Sequence, residues 1–97
     1  MLAVEEKMNV PHSQTADATR LLKAMANEHR LLVLCTLSDG EMSVGQINNV
    51  VPLSQSSLSQ HLGNLRRAGL VDTRREAKTI FYRLSGNQTA RVIEALQ

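Results

Sequence analysis

The strongest structural signal in this chain is the segment SQSSLSQHLGNLRRAGL, which occupies residues 54–70. Leu58, Leu62 and Leu65 stand at positions i, i+4 and i+7, so they share one face of a helix. Most of the remaining positions carry short polar side chains. A helix of this kind packs on a core with its apolar face and exposes hydrogen-bonding groups on the other face.

Both ends of this segment carry the residues that helix ends prefer. Ser54 is expected as the N-cap, because its hydroxyl can accept a hydrogen bond from an otherwise unpaired amide. Gly69 suits the left-handed residue that follows a helix, and the helix dipole favours Arg66 and Arg67 in the last turn. The segment therefore predicts one complete helix.

The polar face of this helix predicts DNA recognition. Gln and Asn can bind adenine through two hydrogen bonds, and Ser can pair with several base edges. A helix exposed only for solubility would usually carry Glu and Lys, which form helices better than Ser. An ordinary solvated helix with a serine-rich face is the alternative interpretation. The side chains expected in the major groove are Gln55, Ser56, Ser57, Ser59 and Gln60. Near phosphate we expect Ser54, Arg66 and Arg67, with His61 either orienting the helix or facing a phosphate.

Size and charge agree with this prediction. The 97 residues suffice for one domain with a modest core, and Phe81 and Tyr82 are its only aromatic residues. The net charge is only +2, but residues 54–83 hold six basic and two acidic side chains. The positive excess therefore lies beside the predicted recognition helix, as expected for a DNA-binding surface.

Other features of the sequence argue against a membrane or a secreted protein. No apolar run approaches the roughly 18 residues that a membrane-spanning helix needs. Glu5 and Glu6 stand where a signal peptide would be apolar. A single cysteine fits a reducing cytoplasm, where we expect the protein to act. We expect residues 1–13 to be flexible and residues 14–97 to form the domain.

Three helices are predicted before the recognition helix. The first covers about residues 14–26 and the second about residues 28–38, where Asn27 can cap the start. Ser43 and Gln46 form a capping box that opens a short third helix. That helix must end before the proline at position 52. Two helices joined so closely are typical of a helix-turn-helix.

A β-hairpin and a last helix are predicted after the recognition helix. Residues 70–75 and 79–84 are rich in Thr, Val, Ile, Phe and Tyr, which favour strands. Residues 76–78 lack the Asn-Gly of a tight turn, so we expect a longer, looser tip. Asn87 is the expected start of the last helix. The fold class is therefore mainly α with a β-hairpin wing, a winged helix-turn-helix with the order α-α-α-α-β-β-α. The wing residues expected at the DNA backbone or the minor groove are Arg74, Arg75 and Lys78.

Four motifs resemble the ArsR/SmtB family of bacterial transcriptional regulators. They are AMANEHRL at 24–31, LSQSSLSQHL at 53–62, LRRAGLV at 65–71 and IFYRL at 80–84. The resemblance covers about residues 15–97. It implies a homodimer that binds palindromic double-stranded promoter DNA, with the first and last helices at the dimer interface. The interface residues that we expect on this basis are Leu21, Leu22, Met25, Thr89, Val92, Ile93 and Leu96.

The metal sites of this family have no counterpart at the matching positions. The arsenic and cadmium sensors carry Cys-x-Cys in the helix before the recognition helix, where this chain has residues 43–45, SVG. Zinc sensors carry acidic and histidine ligands on the last helix, where this chain offers Glu94 and no histidine. We therefore expect no metal and no cofactor. A metal-responsive regulator with a non-standard site is kept as an alternative.

Cys35 has two interpretations. The stretches LVLCTL at 32–37 and EMSVG at 41–45 resemble a subgroup that includes HlyU, BigR and YgaV. That resemblance implies a response to thiol oxidation or sulfur species through a cysteine at this position and a second one near the end of the last helix. This sequence has no second cysteine. Cys35 also shares a helical face with Leu31 and Leu34, which is typical of a buried packing residue.

A protein-docking module and an enzyme are the alternative classes of function. A winged helix can serve as a protein-docking module without DNA contact, although the clustered arginines argue against that role. An enzyme is not expected, because the sequence offers no nucleophile–base pair, paired carboxylates or phosphate-binding loop. We expect the protein to act as a repressor or an anti-repressor that responds to a small-molecule or oxidant signal.

Overall fold

The computed structural model describes residues 12–97, in which a helical bundle carries a small antiparallel sheet at one end. The elements in chain order are α1 (His12–Met25), α2 (Glu28–Leu37), β1 (Met42–Ser43), α3 (Val44–Val50), α4 (Gln55–Arg67), β2 (Val71–Glu76), β3 (Thr79–Leu84) and α5 (Gly86–Leu96). The predicted order of four helices, a hairpin and a last helix is confirmed. The first helix begins two residues earlier than predicted, and most of the expected flexible segment lies outside the described residues.

The core lies where α2, α4 and α5 meet the base of the hairpin. Leu58, Leu62 and Leu65 are all buried, which confirms the apolar stripe predicted for α4. The other fully buried apolar side chains come from several elements and include Val33, Leu34, Ile47, Val51, Leu70, Val71 and Ile93. Because these contacts hold only one face of α4, the opposite face points away from the protein.

Hydrogen bonds at the predicted caps fix the helix ends. The Asn27 side chain accepts bonds from two amides at the start of α2. Ser43 and Gln46 form the reciprocal capping box of α3. Ser54 caps α4, and Gly69 after its end has a positive φ of 81°. A residue with a Cβ would be strained at that φ, so the glycine allows the chain to turn directly into the hairpin.

The sheet contains one strand that the sequence did not predict. The strand order is β1-β3-β2, and Met42 pairs with Tyr82 on β3. Two residues are too few to show the alternation by which strands are recognised. This short strand ties the segment before α3 to the hairpin.

The hairpin tip differs from the prediction. Glu76 pairs directly with Thr79, so the turn contains only Ala77 and Lys78 and is tight rather than loose. Ala77 adopts a φ of 56°, a conformation that the sequence does not indicate because alanine rarely adopts it. The guanidinium of Arg75 donates from Nε to the Ala77 carbonyl at 3.2 Å, which helps to hold this turn. The strand β2 also begins one residue later than predicted, and α5 begins one residue earlier.

Candidate nucleic-acid interface

The turn between α3 and α4 is held by the side chain of Asn48, a role that the sequence patterns did not predict. The Asn48 Nδ2 atom donates to the Leu53 carbonyl at 2.9 Å and lies 3.4 Å from the Val51 carbonyl. Asn48 is half-buried, and Val51 is fully buried. These contacts set the angle at which α4 leaves the turn. The sequence does contain a signal for this role, namely an asparagine in the last turn of α3, four residues before the proline at position 52.

The outer face of α4 exposes most of the residues predicted to read DNA. Gln55, Ser56, Ser59 and Gln60 are exposed, and no intramolecular hydrogen bond of the two glutamine side chains is found within residues 12–97. Ser57 is half-buried, and its Oγ accepts a hydrogen bond from Ser54 Oγ at 3.0 Å. Four of the predicted side chains therefore face outward together.

His61 lies on the side of α4 that faces α2. Its ring centroid is 6.0 Å from that of His29, and its buried Nδ1 atom has no hydrogen-bond partner among the described residues. Burial lowers the pKa of His61, and the neighbouring Arg30 and His29 lower it further. Arg30 is itself held by a bond from Nε to the Ala24 carbonyl at 2.6 Å. This position fits a residue that orients α4 better than one that contacts phosphate.

The arginines at the end of α4 are exposed. Arg66 has no ion-pair partner in the part of the chain that the structure describes. Arg67 donates from Nη2 to the Asn64 side chain, which is neutral and leaves the charge of Arg67 uncompensated. Both side chains therefore keep the positive charge that a phosphate contact requires.

A groove joins α4 to the wing. It has a volume of about 400 Å³ and is lined by residues from α3, α4 and the hairpin, among them Gly45, Gln55, Ser59, Lys78 and Tyr82. Gln55 and Ser59, which are expected in the DNA major groove, and the predicted wing residue Lys78 thus border the same space. Lys78 has no ion-pair partner among residues 12–97.

The two faces of the hairpin differ in chemistry. One face carries the cross-strand pairs Val71–Leu84, Thr73–Tyr82 and Arg75–Ile80, and continues from the core toward the groove. The other face carries Asp72–Arg83, Arg74–Phe81 and Glu76–Thr79. Adjacent arginines on a strand point to opposite faces, so Arg74 and Arg75 have different surroundings.

Arg74 is held by two carboxylates of the same chain. Its Nη2 and Nε atoms lie 2.6 and 3.2 Å from Glu41 Oε1, and its Nη1 atom lies 2.7 Å from Glu76 Oε2. Its guanidinium also stacks over Phe81, 4.6 Å from the ring centroid. Hydrogen bonds to Glu41 and Glu76 raise the pKa of Arg74 above its usual value. Each of the three guanidinium nitrogens of Arg74 is thus bonded to a carboxylate of the same chain, and contact of Arg74 with DNA stays a prediction.

The residues expected at a dimer interface fall into three groups by burial. Met25, Thr89 and Ile93 are buried inside the single chain and form part of its own core. Leu22 and Leu96 are 55% and 62% exposed, while the other two are half-buried. Among the residues expected at the interface, Leu22 of α1 and Leu96 of α5 are therefore the ones most exposed for a second subunit to cover.

Cys35 is half-buried on α2 and packs against the core. Residues 12–97 contain no group of three or more His, Cys, Asp or Glu side chains placed to hold a metal ion. Within the same residues, no helix combines the length and the apolar character needed to cross a membrane.

Comparison with known proteins identifies the family. A profile described as "Bacterial regulatory protein, arsR family" matches residues 27–73. The transcriptional activator HlyU of Vibrio cholerae is 57% identical over 82 residues, which cover 84% of this chain and 76% of that protein. The chain belongs to the ArsR family. A second ArsR-family relative, the biofilm growth-associated repressor of Agrobacterium fabrum, is 57% identical over 76 residues, covering 78% of this chain and 65% of that protein.

Solved structures confirm the ArsR-family fold. HlyU from Vibrio cholerae superposes with a TM-score of 0.85 at 55% identity, over 89% of this chain and 94% of that one. A homodimeric winged helix-turn-helix DNA-binding domain from Mycobacterium bovis, Mb0332, superposes with a TM-score of 0.79 at 29% identity, over 99% and 84%. The predicted winged helix-turn-helix is confirmed. This ArsR-family chain is a DNA-binding transcriptional regulator, and its named relatives are regulators of transcription rather than enzymes.

Proposed function

We propose that the protein binds an inverted repeat in bacterial promoter DNA as a homodimer in the cytoplasm. In this proposal α4 enters the major groove, and the wing contacts the adjacent backbone or minor groove. The observation that carries the proposal is the exposed row of Gln55, Ser56, Ser59 and Gln60 above a fully buried leucine stripe. Rigid packing behind the row keeps the side chains at fixed spacing, which hydrogen bonding to base edges requires.

Exposed positive charge supports contact with the phosphates on both sides of α4. Arg66 and Arg67 lie at the end of the helix, and Lys78 lies at the tip of the wing across the groove. Arg75 keeps an uncompensated charge, because its bonded partner is a backbone carbonyl. Such contacts fix the position of the protein on the duplex, whereas the glutamines and serines supply sequence preference.

The exposed apolar residues support dimer formation. Leu22 and Leu96 are large, exposed side chains on α1 and α5. The Mycobacterium bovis neighbour is described as homodimeric, and its fold covers nearly all of this chain. A two-fold dimer would present its two α4 helices to half-sites separated by about one or two turns of DNA. An inverted repeat is the sequence symmetry that matches such a dimer.

The direction of regulation is not fixed by the relatives, since one is named an activator and the other a repressor. We propose that the signal acts through Cys35, in line with the subgroup resemblance. Oxidation to a sulfenic acid would add a polar oxygen beside the apolar core on α2, which disturbs the packing behind α4. A purely structural Cys35 is the competing interpretation, and the Cys35→Ser variant separates the two.

The experiment is selection of bound duplexes from fragmented genomic DNA of the source bacterium, with and without hydrogen peroxide. An enriched inverted repeat is expected. Loss of that repeat under peroxide in the wild type, but not in Cys35→Ser, would support the redox part. Equal enrichment with and without peroxide would indicate that Cys35 has only a packing role. Failure to enrich any sequence would contradict specific DNA recognition and favour a protein-docking module.

A further inference from the structure

The contact between Glu41 and Arg74 joins two parts of the DNA-binding surface that are far apart in sequence. The two residues are 33 positions apart, and Arg74 donates from Nε to Glu41 Oε2 at 3.1 Å and from Nη2 to Glu41 Oε1 at 2.6 Å. This two-pronged geometry orients the guanidinium more strictly than a single ion pair would. The guanidinium stacks on the Phe81 ring, and its remaining nitrogen, Nη1, donates to Glu76 Oε2.

The charge around Arg74 does not favour DNA contact. Glu41, Arg74 and Glu76 together carry a net charge of −1, and Arg83, whose charge also acts on Glu41, brings the group to zero, so the group offers no net attraction for a phosphate. Arg74 hydrogen bonding lowers the pKa of Glu41, and Arg83 contributes to the same effect, so Glu41 is ionised at neutral pH. A phosphate that reached Arg74 would have to compete with two carboxylates for its guanidinium.

The position of Glu41 indicates what the contact does. Glu41 immediately precedes β1, and the last residue of β1, Ser43, caps α3. The helix α3 in turn leads through the Asn48-stabilised turn into α4. A bond from Glu41 to the hairpin therefore fixes the wing relative to α4 and sets the width of the groove between Lys78 and Gln55.

We propose that Glu41 and Arg74 are positioning residues for DNA binding, which hold the wing at its distance from α4 without touching DNA. This inference rests on the proposed function, since it concerns how the same surface is held. It differs from the usual reading of a basic wing residue, in which the arginine itself meets the backbone.

The two roles of Arg74 predict opposite effects of Glu41→Gln on DNA affinity. If Arg74 bound phosphate, the substitution would remove a negative charge, release Arg74 and tighten binding. If Glu41 positions the wing, the substitution loosens the groove and weakens binding by roughly threefold, within the range expected for one exposed ion pair. Asp39→Asn is the matched control, because it removes the same charge from an exposed side chain two residues away. It should leave affinity unchanged or slightly increased.

The test measures the affinity of the selected duplex at several salt concentrations. Arg74→Gln should weaken binding about as much as Glu41→Gln, the double variant should be no weaker than either, and the salt slope should not change. Arg75→Gln should instead lower the slope by about one. The proposal is overturned if Glu41→Gln binds like Asp39→Asn or tighter, or if Arg74→Gln also lowers the slope by about one.

A measurement without DNA separates this proposal from the proposed function. Amide hydrogen exchange in β2 and β3 should be faster in Glu41→Gln and in Arg74→Gln than in wild type and in Asp39→Asn. Unchanged exchange in both variants would overturn the positioning role even if the wild type binds DNA. Absence of DNA binding by the wild type would contradict the proposed function alone, and the exchange result would still decide whether the contact holds the wing.

Discussion

At the scale of single residues, Gln60 is the side chain whose role in sequence preference is easiest to isolate. It is exposed on α4, one residue before His61, and no internal bond holds it among the described residues. Gln60→Ala should weaken binding to the selected duplex by about 1–3 kcal/mol and change binding to unrelated DNA little, because one base contact is removed. Competition binding with both duplexes measures this. Equal losses on all duplexes would contradict the major-groove position of Gln60, and Gln88→Ala on α5 serves as the control.

The histidine pair makes a second prediction at this scale, which concerns stability against pH. In the unfolded chain His61 takes up a proton near pH 6.5, whereas burial and the neighbouring Arg30 and His29 lower its pKa in the folded chain. The folded state therefore binds fewer protons than the unfolded chain. The contribution of His61 to the free energy of unfolding is complete above about pH 6.5 and is lost as the pH falls below that value. Urea unfolding between pH 7.5 and 5 should show a steeper loss in wild type than in His61→Gln. Parallel curves would show that this pKa is not lowered.

At the scale of elements, the turn between α3 and α4 depends on one amide side chain. Asn48→Ala should lower the free energy of unfolding by about 1 kcal/mol, since the carbonyl of Leu53 loses its donor. The same variant should weaken DNA binding, because α4 then leaves the turn at a less defined angle. Urea unfolding and duplex titration measure the two effects. The neighbouring Asn49→Ala is a matched control at an exposed position, and an equal effect there would argue against the role of the turn.

The elements also show which information the sequence contains locally. The leucine stripe of α4 and the caps at Asn27, Ser43 and Ser54 are short-range patterns, and all were predictable. The two-residue strand β1 was not, because its partner lies almost 40 residues away. The tight turn was missed because Ala77 adopts a conformation in which glycine or asparagine is expected.

In the candidate site, too, short-range features were predictable from the sequence and long-range contacts were not. Exposure of the polar residues on α4 follows from helical periodicity and was predicted. The occupation of Arg74 by Glu41 was not, since 33 residues separate the partners and only the folded sheet brings them together. The sequence likewise predicted a basic wing, but it could not show which of two adjacent arginines faces the acidic side.

At the scale of the whole molecule, assembly depends on the exposed apolar residues of α1 and α5. Leu22→Glu combined with Leu96→Glu should shift the proposed dimer to monomer, because two charges would be buried at the interface without partners. Analytical ultracentrifugation measures the mass, and circular dichroism checks that the subunit stays folded. The control is Val50→Glu, at an equally exposed apolar position on α3. A dimer that persists in the double variant would place the interface elsewhere.

The burial of Ile93 and Thr89 within a single chain has a consequence for how the regulator responds to its own abundance. Since α5 completes the core of its own subunit, we expect the chain to fold before it meets a second copy. Assembly of the proposed dimer is then a separate equilibrium between folded subunits, governed by their concentration. At low concentration, promoter occupancy would rise with roughly the square of the amount of protein made. The cell could therefore use the rate of synthesis of this chain as a graded input, in addition to any chemical signal.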